Sequence, residues 1–264
     1  MFYQILDFVI VVHQYMAQSI TKRVTEDFHG IEAEVISHSV WGVPANALII
    51  KLPEVRNVLS SRDGSKTVRA VGNCYLPEAL WPTFHTAADN WPAYLKEVLN
   101  EANLSPDDAT ALSTGVNMDY LAWQAEVFEE LWVLAFVTAG VSTNAMRIGM
   151  DKASTIERNG AFDKVGTINT ILFTGSQLDL TPLSASFITI TEAKNIALQE
   201  MDVKSSYTPE WQATGTGTDQ IVVVSGKGDR CDYVGGHTKL GEMMAQAVTS
   251  ATVRAIKNSL KVTD

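Results

Sequence analysis

Two glycine-rich stretches carry the residues best suited to chemistry. Ala213-Thr-Gly-Thr-Gly-Thr-Asp-Gln-Ile-Val-Val-Val-Ser-Gly226 gathers Thr214, Thr216, Thr218 and Asp219 in one turn ahead of an apolar run. Gly235-Gly-His-Thr-Lys-Leu-Gly241 sets His237 where a helix should open. Glycines let backbone amides approach a ligand closely, and hydroxyls and carboxylates fix its orientation. An imidazole exchanges protons near neutral pH, and an aspartate can hold its tautomer. Asp219 and His237 are therefore the candidate acid–base pair. They flank opposite ends of a strand roughly 20 Å long, so they meet only if the Gly226–Gly236 loop folds back. The plainer alternative makes His237 part of a helix start and the threonines hydrogen-bond partners of turn amides.

A second polar block, Val137-Thr-Ala-Gly-Val-Ser-Thr-Asn-Ala-Met-Arg147, offers Thr138 and Asn144, whose amide pairs a donor with an acceptor. Asn169 interrupts the β-rich run Gly166-Thr-Ile-Asn-Thr-Ile-Leu172 and must find partners or face a cavity. Glu192 shares a helical face with Ile188 and Ile196, which reads either as a buried proton carrier or as half of an ion pair with Lys239. Other chemistries lack their patterns. Gly215-x-Gly217 precedes a strand instead of opening a helix, against a nucleotide cradle. The five histidines lie singly, without HxH or HExxH spacing, so no metal site is expected, and no GxSxG elbow occurs.

The elements that must position these groups change character along the chain. Ala33–Ser37, Ala45–Leu52, Val55–Ser60 and Thr67–Gly72 read as an antiparallel meander punctuated by Pro44, Pro53 and Asp63-Gly64. Helices are expected over Trp91–Asn103, Asp119–Leu131, Thr181–Met201 and Thr238–Leu260, the last with Thr238 as N-cap. Strands are expected at Ala111–Gly115, Val133–Thr138, Val165–Thr174 and Gln220–Ser225. Hairpins followed by strand–helix alternation indicate an α+β fold, a mixed sheet with covering helices, with α/β as the alternative. Residues 1–28 read as an extension holding a docked amphipathic helix or an unstructured segment, and residues 29–264 as one domain. With 20 basic against 30 acidic residues, a nucleic-acid partner is disfavoured. The run Ile5–Val12 is too short for a membrane span and lacks leader features. Two distant cysteines fit a reducing, cytoplasmic setting. A homo-oligomer is compatible with all of this.

Taken in order, Arg69-Ala-Val-Gly-Asn73, Asn117-Met-Asp119, the Thr138–Arg147 block, Gly166–Leu172, Thr191-Glu-Ala-Lys194, Ala213–Gly226 and Gly235–Gly241 resemble the CbiZ family, the adenosylcobinamide amidohydrolases. The resemblance spans Pro44 to Ile256. It implies hydrolysis of the amide between aminopropanol and the corrin ring, giving adenosylcobyric acid and 1-amino-2-propanol, with cobalt entering only inside the substrate and no other cofactor. The family supplies no secure catalytic residue. Our assignment gives Asp219 and His237 the activation of water or a threonine, Glu192 a proton shuttle, and the amides of Gly235–Thr238 the oxyanion. Thr138, Asn144, Asn169, Thr214, Thr216, Thr238 and Lys239 are the expected substrate contacts, in a wide cavity walled by tryptophan and methionine. On that assignment Asp219→Asn and His237→Ala both abolish turnover. A corrinoid carrier without hydrolysis is one competing class, although the Asp-x-His-x-x-Gly pattern of such carriers is absent, and an amidase for a different corrinoid is the other.

Overall fold

The computed structural model describes residues 21–25, 27–86, 90–153 and 167–261; the expectation for residues 1–20 lies outside them. Four strands open the fold: β1 Thr21–Arg23, β2 Glu32–Val40, β3 Val43–Ser60 and β4 Gly64–Tyr75. Helices α1 Trp81–Thr86 and α2 Asn90–Glu101 follow, then β5 Ala109–Thr114, β6 Ala122–Phe128, β7 Leu131–Ala139 and β8 Ile168–Thr174. Helix α3 Leu180–Glu200, strand β9 Gln220–Val224 and helix α4 Lys239–Leu260 complete it.

The strand order β1-β2-β3-β9-β8-β7-β6, with β4 between β3 and β5, makes one nine-stranded sheet. Its hairpins are antiparallel, whereas β4–β5 and β8–β9 run parallel. The long strand β3 holds the two halves together. Pro53 cannot donate to the ladder, and the β3–β4 register breaks between Lys51 and Arg56. Past the break, Val58–Ser60 pair with β9, so the sheet curls over itself.

Side-chain alternation then sorts each strand between cores. Leu48 and Ile50 join Val71, Phe136, Ile171, Phe173 and Val222 between the two halves of the sheet. Their neighbours Ala47 and Ile49 pack outward with Cys74, Tyr94 and Val98 beneath α2. On the opposite outer face Ala135, Val137, Leu172 and Val223 pack with Leu183 of α3 and Met244 of α4. Three cores between four layers, helix–sheet–sheet–helix, realise the expected α+β class.

At one end of the inner layer every row turns polar. Asn46 precedes Leu48, Asn73 follows Val71, Thr138 follows Phe136, Asn169 precedes Ile171 and Gln220 precedes Val222, all in period-two register with the apolar rows.

Three expectations change. The segment Asp119–Leu131 is not a helix: Met118–Tyr120 forms a short 3-10 turn and β6 pairs with β7 from Ala122↔Val137 to Phe128↔Leu131. Its Trp, Val and Phe suit a strand, and the two-residue turn Glu129-Glu130, with Glu129 at φ 52°, has none of the Asn-Gly signature that announces such hairpins. The two predicted strands Ala45–Leu52 and Val55–Ser60 are one strand with a bulge. The sheet also starts at Thr21, where β1 pairs with β2, ahead of the boundary at residue 28. No helix among the described residues is long and apolar enough to cross a membrane.

Cys74 is fully buried, and burial pushes its thiol up to about 12, whereas Cys231 is half-buried. Iodoacetamide needs the thiolate. A Cys231→Ser variant should therefore show no alkylation by mass spectrometry at pH 8 until denatured, and one adduct afterwards.

Candidate functional site

The polar end of the inner layer is a closed hydrogen-bond network. Asn169 Nδ2 donates to Asn73 Oδ1 and to the Ser113 carbonyl, both at 2.8 Å. Asn73 Nδ2 in turn donates to Thr138 Oγ1 at 2.9 Å. Gln220 Oε1 accepts from Ser113 N at 3.2 Å, tying β9 to β5. Thr167 Oγ1 donates to the Thr218 carbonyl at 2.6 Å and lies 3.1 Å from Asn169 Oδ1. Asn73, Thr138, Thr167 and Asn169 are all buried, and buried polar groups that satisfy one another are held rigidly.

Thr218 links this network to a charged cluster on the α3 side of the same strand ends. Lys194, on α3, donates from Nζ to Asp219 Oδ2 at 2.6 Å, with side-chain exposures of 12% and 16%. Asp219 Oδ1 accepts from Ile168 N at 2.9 Å and from Thr216 Oγ1 at 2.5 Å. A Cβ on Gly215 would stand 2.6 Å from Asp219 Oδ2 and 2.9 Å from Lys194 Nζ, so only glycine leaves the pair room. The glycine turn is itself clamped by the preceding block. Asn144 Nδ2 donates to the Thr216 carbonyl and Tyr207 Oη donates to Asn144 Oδ1, each at 2.7 Å, while Met146 N donates to the Gly215 carbonyl.

Two residues beyond the inner network the strands open on a cavity of about 320 Å³. Tyr75, Trp81, Asn117, Tyr120, Ser142 and Thr143 line it. Network, ion pair and cavity thus occupy one end of the sandwich: a fixed set of amides, a carboxylate beside a cation, and a recess. Of these, the carboxylate and the cation are the groups able to exchange protons with a bound molecule.

Among the expected site residues, Thr138, Asn169, Thr216 and Asp219 converge here. Thr214 lies on the same turn, accepting from Ile148 N at 2.9 Å. Asn144 is present as a brace of that turn, with oxygen and nitrogen both engaged. His237 does not meet Asp219. The Gly226–Gly236 loop stays at the far end of β8, through Gly226 N to the Ser176 carbonyl, Gly228 N to that of Gly175 and Cys231 N to that of Gln177. His237 is exposed and touches the Tyr233 ring. Thr238 caps α4, accepting from Gly241 N at 3.1 Å, and Lys239 pairs with Glu242, not Glu192. Glu192, Ile188 and Ile196 all face outward, because α3 buries the other stripe, including Leu183, Ser186, Ile190, Ala193 and Ala197.

Lys194, Asn73, Thr167 and Tyr207 have no role in the sequence reading. Lys194 is nevertheless detectable: it lies four residues from both Ile190 and Leu198, on the flank of the truly buried stripe, where lysine is rare without a partner.

A family model described as adenosylcobinamide amidohydrolase matches residues 32–264. The chain belongs to that family. Membership makes it a hydrolase, as the ordered motifs anticipate. An uncharacterized protein of Methanocaldococcus jannaschii is 43% identical over 226 residues, 81% of this chain and 87% of that protein. An adenosylcobinamide amidohydrolase of Methanosarcina mazei is 32% identical over 161 residues, 57% of this chain and 66% of that protein. Among solved structures, the L-aminopeptidase D-Ala-esterase/amidase of Ochrobactrum anthropi is similar with a TM-score of 0.41 and 11% identity, over 86% of this chain and 83% of that one.

Proposed function

We propose that the protein hydrolyses the amide joining aminopropanol to the corrin ring of adenosylcobinamide, releasing 1-amino-2-propanol and adenosylcobyric acid. The observation that supports this reading beyond family membership is the Lys194–Asp219 pair, bonded beside a preformed amide network. The buried bonds of Asn169 and Asn73 hold the strand ends beside the pair in place. Water adds to the amide carbon and gives its proton to Asp219. The C–N bond breaks as Lys194 donates a proton to the departing nitrogen. Asp219 then returns a proton to Lys194 across their 2.6 Å bond, which restores both groups. Cobalt enters only as part of the substrate. His237 and Glu192, both exposed and away from this pair, take no part.

Incubation of the purified protein with adenosylcobinamide should yield adenosylcobyric acid and 1-amino-2-propanol, identified by mass spectrometry. Tight binding without either product would make the protein a corrinoid carrier and overturn the hydrolytic reading.

A further inference from the structure

We infer that the cavity beyond the amide network is a nucleoside subsite, taking the adenine and ribose carried above the cobalt of the corrinoid. The inference rests on the proposed substrate but draws on residues the reaction does not use. Tyr75 at the end of β4, and Gly115 and Gly140 just past β5 and β7, follow Asn73, Ser113 and Thr138 of the network by two residues. The recess therefore continues the same face roughly 7 Å further along.

Its volume of about 320 Å³ is on the scale of a nucleoside and well below that of a corrin macrocycle. Three aromatic side chains, Tyr75, Trp81 and Tyr120, form its walls, and aromatic faces are what a purine stacks on. Trp81 is fixed by donating from Nε1 to the Leu76 carbonyl at 2.9 Å. Asn117 is oriented as well: its Oδ1 accepts from Asn46 Nδ2 and from Asp119 N, both at 2.8 Å. Its Nδ2 is left as the donor for a ligand, matching the acceptor nitrogens of adenine. The adjacent hydroxyls of Ser142 and Thr143, exposed and without a hydrogen-bond partner among the described residues, suit the two hydroxyls of a ribose. Among the described residues no Lys, Arg or His lines the cavity, which disfavours a phosphate and fits a neutral ligand. The short aminopropanol arm would leave the aromatic walls unfilled.

The probe is 5′-deoxyadenosine, followed by ligand-detected NMR, together with kinetics on adenosylcobinamide and cyanocobinamide, which lacks the nucleoside. The free nucleoside should bind the wild-type protein. Wild type should favour the adenosyl form in kcat/KM, and Tyr120→Ala should lower that preference by about tenfold, toward parity. Thr143→Val, a gentler change at the other wall, should lower it in the same direction. Absence of 5′-deoxyadenosine binding, or a preference that persists in both folded variants, overturns the subsite. If the wild type binds 5′-deoxyadenosine, loses it on Tyr120→Ala, and cleaves neither corrinoid, the subsite stands and the proposed reaction falls.

Discussion

Lys194→Met and Asp219→Asn should each lower kcat/KM for amide cleavage by about 10³-fold, the scale of a lost acid or base, while His237→Ala leaves it unchanged. The two side chains are bonded at 2.6 Å, and each is shielded from water. Either substitution breaks the proton circuit at a different point, so the double variant should be little worse than the worse single one, as groups acting as a unit are non-additive. Thermal melts must accompany the kinetics, because Lys194→Met also leaves Asp219 without its cation. Substantial activity in either single variant would remove the pair from the mechanism. Loss of activity in His237→Ala would instead return proton transfer to the start of α4.

Gly226→Ala should destabilise the protein by about 4 kcal/mol, near the top of the range for single substitutions, and lower Tm by roughly 10 °C. A Cβ there would sit 1.9 Å from the Gly175 carbonyl oxygen and 2.5 Å from that of Thr174. Both obstacles are backbone, so no rotamer change relieves them, and β8 and the loop must part. The hydrogen bond from Gly226 N to the Ser176 carbonyl would be strained as well. Gly236→Ala, with nothing within 4 Å of its added carbon, should stay within about 0.5 kcal/mol of wild type by urea unfolding. Similar stabilities for the two variants would show that the close approach at Gly226 relaxes freely.

That contrast also shows where sequence reading stops. Glycines near Asp219 and near His237 both read as room for a ligand, yet Gly215 makes room for an ion pair and Gly226 for a neighbouring strand. Alternation makes the strands legible, and Asn169, a polar residue inside an apolar run, needs partners as expected. Those partners are hidden because Asn73 lies 96 positions away in the chain, a pairing no local pattern encodes. The face of α3 misleads for a different reason. Hydrophobicity points to Ile188 and Ile196, but a helix lying close on a sheet buries small residues, here Ser186, Ala193 and Ala197, and turns the isoleucines to solvent. With the stripe displaced, Glu192 looks internal and Lys194 does not. The Asp219–His237 pair fails on loop geometry, since nothing in Gly226–Gly236 announces its bonds to the end of β8.

The polar end of the inner layer has one more consequence, in the order of assembly. Its bonds join residues separated by 65, 96 and 107 positions, so the site draws on more than half of the chain. Closing such loops is slow compared with forming a hairpin or a helix turn. Secondary structure can therefore be present on refolding before any site exists, and no fragment ending before Thr138 contains even one of these bonds. The capacity for chemistry belongs to the finished topology, and it arrives late.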